Sequence, residues 1–131
     1  MIPVLFSLAI YGTAAFAATE TETLASGVII THTVLGTGAM PTAADRVKVH
    51  YRGTLLDGTE FDSSYKRNQP AVFPLSQVIR CWTQGLQKMK VGGKAKLTCP
   101  AVTAYGDRGA GGMVPPNATL NFEVELLAIE R

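Results

Sequence analysis

The sequence predicts an α+β domain, in which one short helix covers the apolar face of an antiparallel sheet. Two patterns lead to this prediction. After Gly27, apolar residues recur at every second position in most segments, as in strands that expose one face to solvent. In the segment VIRCWTQGLQKMKVGG they recur three or four positions apart, as in an amphipathic helix.

Strands are predicted in six segments. The clearest is RVKVHYRGTLL, in which Val47, Val49 and Tyr51 alternate with polar residues. The dipeptide Asp57-Gly58 follows and is typical of a tight hairpin turn, so TEFD is predicted to return beside this strand. A polar loop, SSYKRNQ, comes next. The remaining predicted strands are VIITHTVLG, AVFPL, KAKLTC and TLNFEVELLAIE.

The helix is predicted from one apolar face. Ile79, Trp82, Leu86 and Met89 lie three or four positions apart, which places them on the same side of a helix. The pair Gly92-Gly93 closes the segment, as glycine often does after a helix. This helix is the element predicted to cover the sheet.

The N-terminal segment differs from the rest of the chain. No charged side chain occurs from Met1 to Thr19, and the apolar run IPVLFSLAI is followed by small residues at Ala15 and Ala17. This pattern predicts a signal peptide over residues 1–17 and export to the periplasm, although no Lys or Arg stands near Met1. The alternatives are an uncleaved anchor or a wrongly assigned start. A polar leader is predicted over residues 18–26, and the folded domain over residues 27–131.

Composition limits the class of protein. The 131 residues are 47% hydrophobic and 17% charged, which suits one globular domain with its own core. The 12 basic and 10 acidic residues are interspersed and give a net charge of +2. Nucleic-acid binding usually needs a clustered basic face, so we do not expect nucleic acid as a partner.

The stretch AYGDRGAGGMVPPNA is rich in glycine and proline. Its glycines do not have the spacing of a dinucleotide-binding loop, and Pro115-Pro116 prevents the helix that such a loop needs. No Gly-Lys-Ser/Thr triplet of a phosphate-binding loop occurs in the chain. Because Tyr105 and the apolar pair Met113-Val114 flank these glycines, we expect an ordered loop over a pocket rather than a disordered linker.

Three long segments of the chain resemble the FKBP family of peptidyl-prolyl cis-trans isomerases. They are VKVHYRGTLLDGTEFDSSYKRNQP, FPLSQVIRCWTQGLQKMKVGGKAKLTCP and AYGDRGAGGMVPPNATLNFEVELL, in the family's order and spacing. The resemblance, to the bacterial, exported, single-domain type, implies a strongly bent sheet of five or six antiparallel strands wrapped around one short helix. It also implies isomerisation of X-Pro bonds, with proline-containing polypeptides as substrates, macrolide inhibitors as ligands, and no cofactor.

The resemblance also implies a role for individual residues. Trp82 matches the floor on which the substrate proline lies, and Tyr105 matches the tyrosine whose hydroxyl donates to a ligand carbonyl. Asp62 and Arg67 match a polar pair beside the pocket. Met113 and Val114 match the apolar pair of the overhanging loop. The residues that match the pocket walls are Tyr51, Phe61, Phe73, Val78, Ile79 and Phe122.

Each of these assignments has a simpler alternative. Trp82 and Phe122 are also explained as core aromatics, and Asp62 with Arg67 as a surface ion pair of little energetic weight. A hydrolase built on Asp62, Ser63 and His50 is disfavoured because the chain has no G-x-S-x-G motif. A metal site is disfavoured as well, because neither histidine has ligand-like spacing to a carboxylate or a cysteine.

The chain departs from the family pattern at four positions. Ala71 stands where many members have a wall aromatic, and Ala110 where histidine is common in the loop. Cys81 replaces a glycine before Trp82, and Cys99 replaces an aliphatic residue. Because both cysteines are unusual, their number is even and export is predicted, we expect a Cys81–Cys99 disulfide rather than two buried thiols.

Two classes of function follow from these observations. The first is a folding enzyme that isomerises X-Pro bonds in exported polypeptides. The second is a binding module or chaperone that holds proline segments without turnover. The presence of Asp62, Trp82, Tyr105 and Phe122 together favours the enzyme. We also expect a monomer without stable membrane insertion after processing.

Overall fold

A computed structural model describes residues 19–130 of the chain. The predicted signal peptide, residues 1–17, lies outside the described residues. Within them, seven strands form one sheet and one α-helix, α1 (Arg80–Leu86), packs against it. The strands are β1 (Glu20–Thr23), β2 (Ile29–Val34), β3 (Arg46–Leu55), β4 (Glu60–Ser63), β5 (Ala71–Pro74), β6 (Lys94–Cys99) and β7 (Leu120–Glu130).

The long strands β3 and β7 form the centre of the sheet. The strand order is β1-β2-β6-β7-β3-β4, with β5 also paired to β3, and every pairing is antiparallel. β5 pairs with β3 at Arg46–Val49 and β4 at Arg52–Thr54, so two short strands share the same edge of β3. Register shifts interrupt β3 against both β4 and β7, and such irregularities bend a sheet. The predicted α+β fold class is confirmed.

The segment predicted as a polar leader contains an additional strand. In β1, Glu20 lies opposite His32 and Thr23 opposite Ile29 of β2. The His32 Nε2 atom lies 3.0 Å from a carboxylate oxygen of Glu22. This strand was not predicted, because its sequence is polar and the prediction used apolar alternation. An edge strand needs little apolar surface, and charged residues protect the edge from pairing with other chains. No helix in residues 19–130 has the length and apolar character to span a membrane.

Helix α1 is shorter than the predicted helical segment. It ends at Leu86, because the following N–H groups bond three residues back: Lys88 N to Gly85 O at 3.0 Å and Met89 N to Leu86 O at 3.1 Å. This tighter turn ends the regular helix. Met89 is nevertheless buried, so the apolar periodicity correctly identified a core residue beyond the helix end.

The core lies between α1 and one face of the sheet. Alternate residues of β3 point into it, and the strand pattern predicted from RVKVHYRGTLL is reproduced in their burial. The helix contributes Cys81, Trp82 and Leu86. The fully buried aliphatic side chains are Val28, Ile30, Val47, Val49, Leu75, Leu86, Leu97, Leu120 and Leu126.

Candidate functional site

A cavity of about 490 Å³ opens at one end of this core. Its lining comes from β3, β4, β5, β7 and α1, and from the segments before α1 and after β6. It therefore gathers residues that are more than 70 positions apart in the sequence, as from Tyr51 to Phe122. The lining residues are Tyr51, Phe61, Asp62, Phe73, Gln77, Val78, Ile79, Trp82, Tyr105 and Phe122.

Aromatic rings arranged edge to face form the base of the cavity. The Trp82 indole lies 5.2 Å from Tyr51, 5.5 Å from Phe73 and 5.4 Å from Phe122, measured between ring centroids, with interplanar angles of 83° to 88°. Edge-to-face packing at this separation is the favoured geometry of aromatic pairs. Trp82 is 4% exposed. It is therefore both a core residue and part of the cavity lining, so the two interpretations of the sequence are compatible.

Gly53 makes room for the aromatic wall. The rings of Phe61 and Phe122 meet edge to face with centroids 5.6 Å apart. A Cβ atom on Gly53 would come within 2.7 Å of the Phe61 ring and 2.8 Å of the Phe122 ring. Sequence reasoning missed this residue, because a glycine inside a strand pattern indicates a close approach without identifying what approaches.

Gly53→Ala is therefore expected to displace the Phe61 and Phe122 rings. Real Cβ contacts are not as short as 2.7 Å, so one or both rings must move. Overpacking of this kind costs about 1–3 kcal/mol, and we expect a similar loss in the free energy of binding a proline peptide. Calorimetric titration measures the binding, and thermal unfolding measures the stability. An affinity equal to that of the wild type would contradict this account of the wall.

A hydrogen-bonded network of three side chains borders the cavity. The Tyr51 hydroxyl donates to Asp62 Oδ2 at 2.6 Å and accepts from Arg67 Nη2 at 2.9 Å. Arg67 Nη1 donates to Asp62 Oδ1 at 2.9 Å, and the Ser63 N–H donates to the same oxygen at 2.9 Å. The predicted Asp62–Arg67 pair thus forms, and Tyr51 belongs to it as well as to the aromatic wall. Arg67 itself does not line the cavity.

This network fixes the charge states of its members. Partial burial on its own would raise the pKa of Asp62, but the hydrogen bonds from Tyr51 and Arg67 and the Arg67 charge outweigh it and lower the pKa. Burial and the hydrogen bond to Asp62 raise the pKa of Tyr51 above its usual value. At neutral pH the network therefore contains a carboxylate, a neutral phenol and a guanidinium.

Two further polar side chains face the cavity. Tyr105 is 41% exposed, and burial together with the Asp62 charge raises the pKa of its hydroxyl, which stays protonated and able to donate. Gln77, at the end of a 3₁₀ turn (Leu75–Gln77), also lines the cavity. Neither side chain has a hydrogen-bond partner within residues 19–130, so both are available to a ligand. Sequence reasoning missed Gln77, since no periodicity or motif distinguishes a glutamine in a turn.

Met113 and Val114, predicted for the overhanging loop, are not among the residues that line the cavity in this structure. Val114 is buried in the core, and Met113 is 54% exposed to solvent. A short turn explains their positions: the N–H of Ala110 bonds to the Val114 carbonyl at 2.9 Å, and the Val114 N–H bonds back to Ala110 at 3.0 Å. Gly109, with a φ of 68°, allows the chain to pass close to the Val114 carbonyl, where a Cβ would collide.

The hydrolase and metal alternatives gain no support from the geometry. His50 lies on the opposite face of β3 from Tyr51. Its Nδ1 atom is 2.8 Å from the hydroxyl of Ser64, not Ser63, and its ring stacks on Tyr65. Among the described residues, no group of three or more His, Cys, Asp or Glu side chains could hold a metal ion.

A disulfide joins Cys81, the sequence neighbour of the cavity residue Trp82, to Cys99. Their Cα atoms are 5.6 Å apart and both side chains are fully buried, a separation within the usual range for a bonded pair. Cys81 lies in the first turn of α1 beside Trp82, and Cys99 is the last residue of β6. The bond therefore connects the helix to the sheet at the base of the cavity.

Comparison with known proteins places this chain in a family. Residues 38–127 match the FKBP-type peptidyl-prolyl cis-trans isomerase family. The chain is 61% identical to the FKBP-type isomerase FkpA of Aeromonas hydrophila over 97 residues, which is 74% of this chain and 36% of that protein. It is 53% identical to FK506-binding protein 1 of Dictyostelium discoideum over 106 residues, which is 79% of this chain and 99% of that protein.

Solved structures show the same fold. The crystal structure of FkpA from Escherichia coli has a TM-score of 0.82 and 43% identity, and the match covers 93% of this chain and 57% of that one. An isomerase from Pseudomonas syringae has a TM-score of 0.80 and 38% identity over the full length of both chains. The chain spans less than half the length of the FkpA of Aeromonas hydrophila. By sequence and by fold, the chain belongs to the FKBP-type peptidyl-prolyl cis-trans isomerase family.

Proposed function

We propose that this chain is a peptidyl-prolyl cis-trans isomerase, which binds the proline of an X-Pro segment in the aromatic cavity. The observation that carries this proposal is the cavity itself: an indole floor, aromatic walls, and a Tyr105 hydroxyl free to donate at the rim. Trp82 is the floor for the proline ring. Tyr51, Phe61, Phe73, Val78, Ile79 and Phe122 are the walls.

The chemistry of the reaction suits such a site. Rotation about an X-Pro bond breaks no bond and loses amide resonance, with a barrier of about 18–20 kcal/mol. The twisted amide is less dipolar than the planar one, so a cavity that excludes water favours it over the ground state. No nucleophile or proton transfer is needed. An aromatic cavity can therefore catalyse this reaction without a catalytic acid or base.

The required acceleration sets the scale of the stabilisation. Uncatalysed isomerisation takes about 10–100 s, so turnover on the order of 10³ s⁻¹ requires about 10⁵-fold, or about 7 kcal/mol. Four contributions share this amount. The first three are burial of the proline ring on Trp82, a hydrogen bond from Tyr105 to the substrate carbonyl, and donation from the Ile79 N–H, which has no backbone partner in residues 19–130. The fourth is the fixed charge of Asp62, which is held by Tyr51 and Arg67 beside the amide.

A protease-coupled assay on a proline tetrapeptide tests the proposal. The protease cleaves only the trans form, so an isomerase speeds the slow phase in proportion to its concentration. We expect this acceleration, and we expect a macrolide inhibitor of the FKBP type to abolish it. Binding of the peptide without any acceleration would reject the enzyme and leave the alternative function, a proline-binding module or chaperone.

Turnover is expected to be independent of pH between about 6 and 9. Asp62, with its lowered pKa, stays ionised over this range, while Tyr51 and Tyr105, with raised pKa values, stay protonated. Because the folded-state pKa of Asp62 is depressed, its contribution to folding is present above about pH 3.9 and is lost as the pH falls through the folded value. The measurement is kcat/KM against pH.

A bell-shaped dependence of kcat/KM on pH near neutrality, if the His50→Phe variant lost it, would contradict the mechanism. Histidine is the side chain that usually titrates in that range. The His50→Phe variant also serves as the control. Its ring stacks on Tyr65 outside the cavity, so we expect its kcat/KM to match the wild type at each pH.

We also propose that the protein is exported to an oxidising compartment of the periplasmic type, and acts there as a monomer. The disulfide supports export, because such bonds persist in oxidising compartments and are rare in the cytosol. The monomer is proposed because the α-helix of residues 19–130, α1, packs against the sheet and leaves no helical segment there for dimerisation. N-terminal sequencing of secreted material tests for cleavage after Ala17. Light scattering of the same material tests the oligomeric state.

A further inference from the structure

The Cys81–Cys99 disulfide joins two segments that each carry a residue of the cavity. Cys81 immediately precedes Trp82 in the first turn of α1. Cys99 ends β6, and the chain then runs through Pro100 and a short 3₁₀ turn (Ala101–Thr103) to Tyr105. The bond therefore links the segment that carries Trp82 to the segment that carries Tyr105. Within residues 19–130, no other covalent crosslink joins them.

The Trp82 ring has no polar anchor of its own. Its Nε1 atom is buried and lacks a hydrogen-bond partner within the described residues. Ring contacts with Tyr51, Phe73 and Phe122 hold the indole, and such contacts tolerate sliding better than a directed hydrogen bond does. The orientation of the indole thus depends strongly on the main chain from which it projects.

That main chain belongs to a short helix, which is held by its contacts with the rest of the domain. Helix α1 has seven residues and no side-chain hydrogen bond at its N-cap, Ile79, and helices this short are marginal without tertiary support. Outside the ring packing, three side-chain contacts tie this helix to the rest of the domain. The Ser26 hydroxyl donates to Gln84 Oε1 at 2.5 Å. The Thr83 hydroxyl donates to the Leu75 carbonyl at 2.6 Å, and Cys81 is bonded to Cys99.

The segment from Cys99 to Tyr105 is a hydrogen-bonded unit. The backbone N–H and the hydroxyl of Thr103 both donate to the Pro100 carbonyl at 2.8 Å. The Gly106 N–H donates to the Ala101 carbonyl at 2.9 Å, which closes the turn around Tyr105. Thr103 is buried, so the turn is also held by packing. A change in position at Cys99 is therefore transmitted to Tyr105.

We propose that the Cys81–Cys99 disulfide is a positioning element of the cavity, which fixes the Trp82 floor relative to the Tyr105 hydroxyl. This inference rests on the proposed function, since it assigns the disulfide to the same cavity. Cys81 and Cys99 are positioning residues and do not touch the substrate. Without the bond, the fold persists, but the indole moves more and the site binds proline less well.

The test uses the single tryptophan of the chain as a probe. Time-resolved fluorescence anisotropy reports the nanosecond motion of Trp82 in the folded protein without any requirement for activity. In the double variant Cys81→Ala/Cys99→Val, we expect the amplitude of the fast motion to rise at least about twofold. Affinity for a proline tetrapeptide should fall about fivefold, the scale expected for ordering one side chain on binding.

Ile30→Ala is the matched control. Ile30 is fully buried in β2 and does not line the cavity, so this variant loses stability by a similar amount without touching the site. We expect its anisotropy and peptide affinity to equal those of the wild type at a temperature where both variants are folded. If both variants change equally, the disulfide acts only through global stability and the proposal is wrong.

A second sample provides the test if the double variant Cys81→Ala/Cys99→Val does not fold. Wild-type protein refolded in reductant keeps both side-chain volumes and lacks only the bond. An unchanged anisotropy in that sample would overturn the positioning role even if the enzyme is active. Conversely, an absence of isomerase activity in the oxidised wild type would reject the proposed function while the anisotropy result still decides the inference.

Discussion

Replacing Trp82 with alanine is expected to weaken the binding of a proline peptide by at least about 30-fold. Residues at the centre of a buried binding site contribute about 2 kcal/mol or more, and 1.4 kcal/mol corresponds to tenfold in affinity. The indole is the ring that contacts three other aromatic side chains of the cavity. Its loss removes the surface on which we place the proline. Calorimetric titration at low temperature measures the effect.

The same substitution is expected to cost stability. Trp82 is almost fully buried, and removal of a buried tryptophan side chain costs about 3–5 kcal/mol. Trp82→Leu keeps part of the apolar volume and should fold more readily, yet it lacks the flat ring and should also bind weakly. Ile30→Ala serves as the control for lost stability. Wild-type affinity in Trp82→Leu would show that the indole is a core residue only.

Removing the disulfide is expected to lower the free energy of unfolding by about 3 kcal/mol. Eighteen positions separate Cys81 from Cys99, and a crosslink that closes a loop of about this length reduces the entropy of the unfolded chain by that amount. For a domain of this size, the corresponding fall in Tm is about 12 °C. Thermal unfolding of Cys81→Ala/Cys99→Val against the wild type measures it.

Mass spectrometry establishes that the bond is present in the material compared. Protein from the export compartment should gain no alkyl groups before reduction and two after it, because the described residues contain no free cysteine. Two alkylated thiols without reduction would end the disulfide proposal. Wild type treated with reductant should also unfold at a lower Tm, but not below that of the double variant, because it keeps both buried side-chain volumes.

The sequence was sufficient to predict the fold because most strands have one apolar face and the helix has an apolar face of its own. The alternation of apolar and polar residues in β3 and the spacing of Trp82, Leu86 and Met89 are direct consequences of burial. Both patterns can therefore be recognised in the sequence. β1 was not predicted, since its pairing with β2 depends on backbone hydrogen bonds that polar residues make equally well. The predicted helix extended beyond the observed end of α1 at Leu86. That end depends on whether each N–H bonds to the carbonyl three or four residues back, which apolar spacing does not show.

Most cavity residues could be assigned from the sequence, and the exceptions have a common cause. The exposed position of Met113 could not be derived from the sequence, because a polar or apolar identity does not determine the direction of a side chain in a loop. Gly53 and Gln77 were missed because their roles exist only in three dimensions. The double role of Tyr51, as a wall and as a hydrogen-bond partner of Asp62 and Arg67, likewise depends on distances between segments far apart in the chain.

Magnetisation-exchange NMR on a proline peptide tests the central claim most directly, because it observes both isomers at equilibrium and needs no protease. With a catalytic amount of wild-type protein, we expect exchange cross-peaks between the cis and trans resonances within a second, far faster than the uncatalysed 10–100 s. Trp82→Leu should show them weakly or not at all. Peptide resonances that shift on binding while cis and trans remain unexchanged would contradict the claim that this cavity isomerises proline bonds.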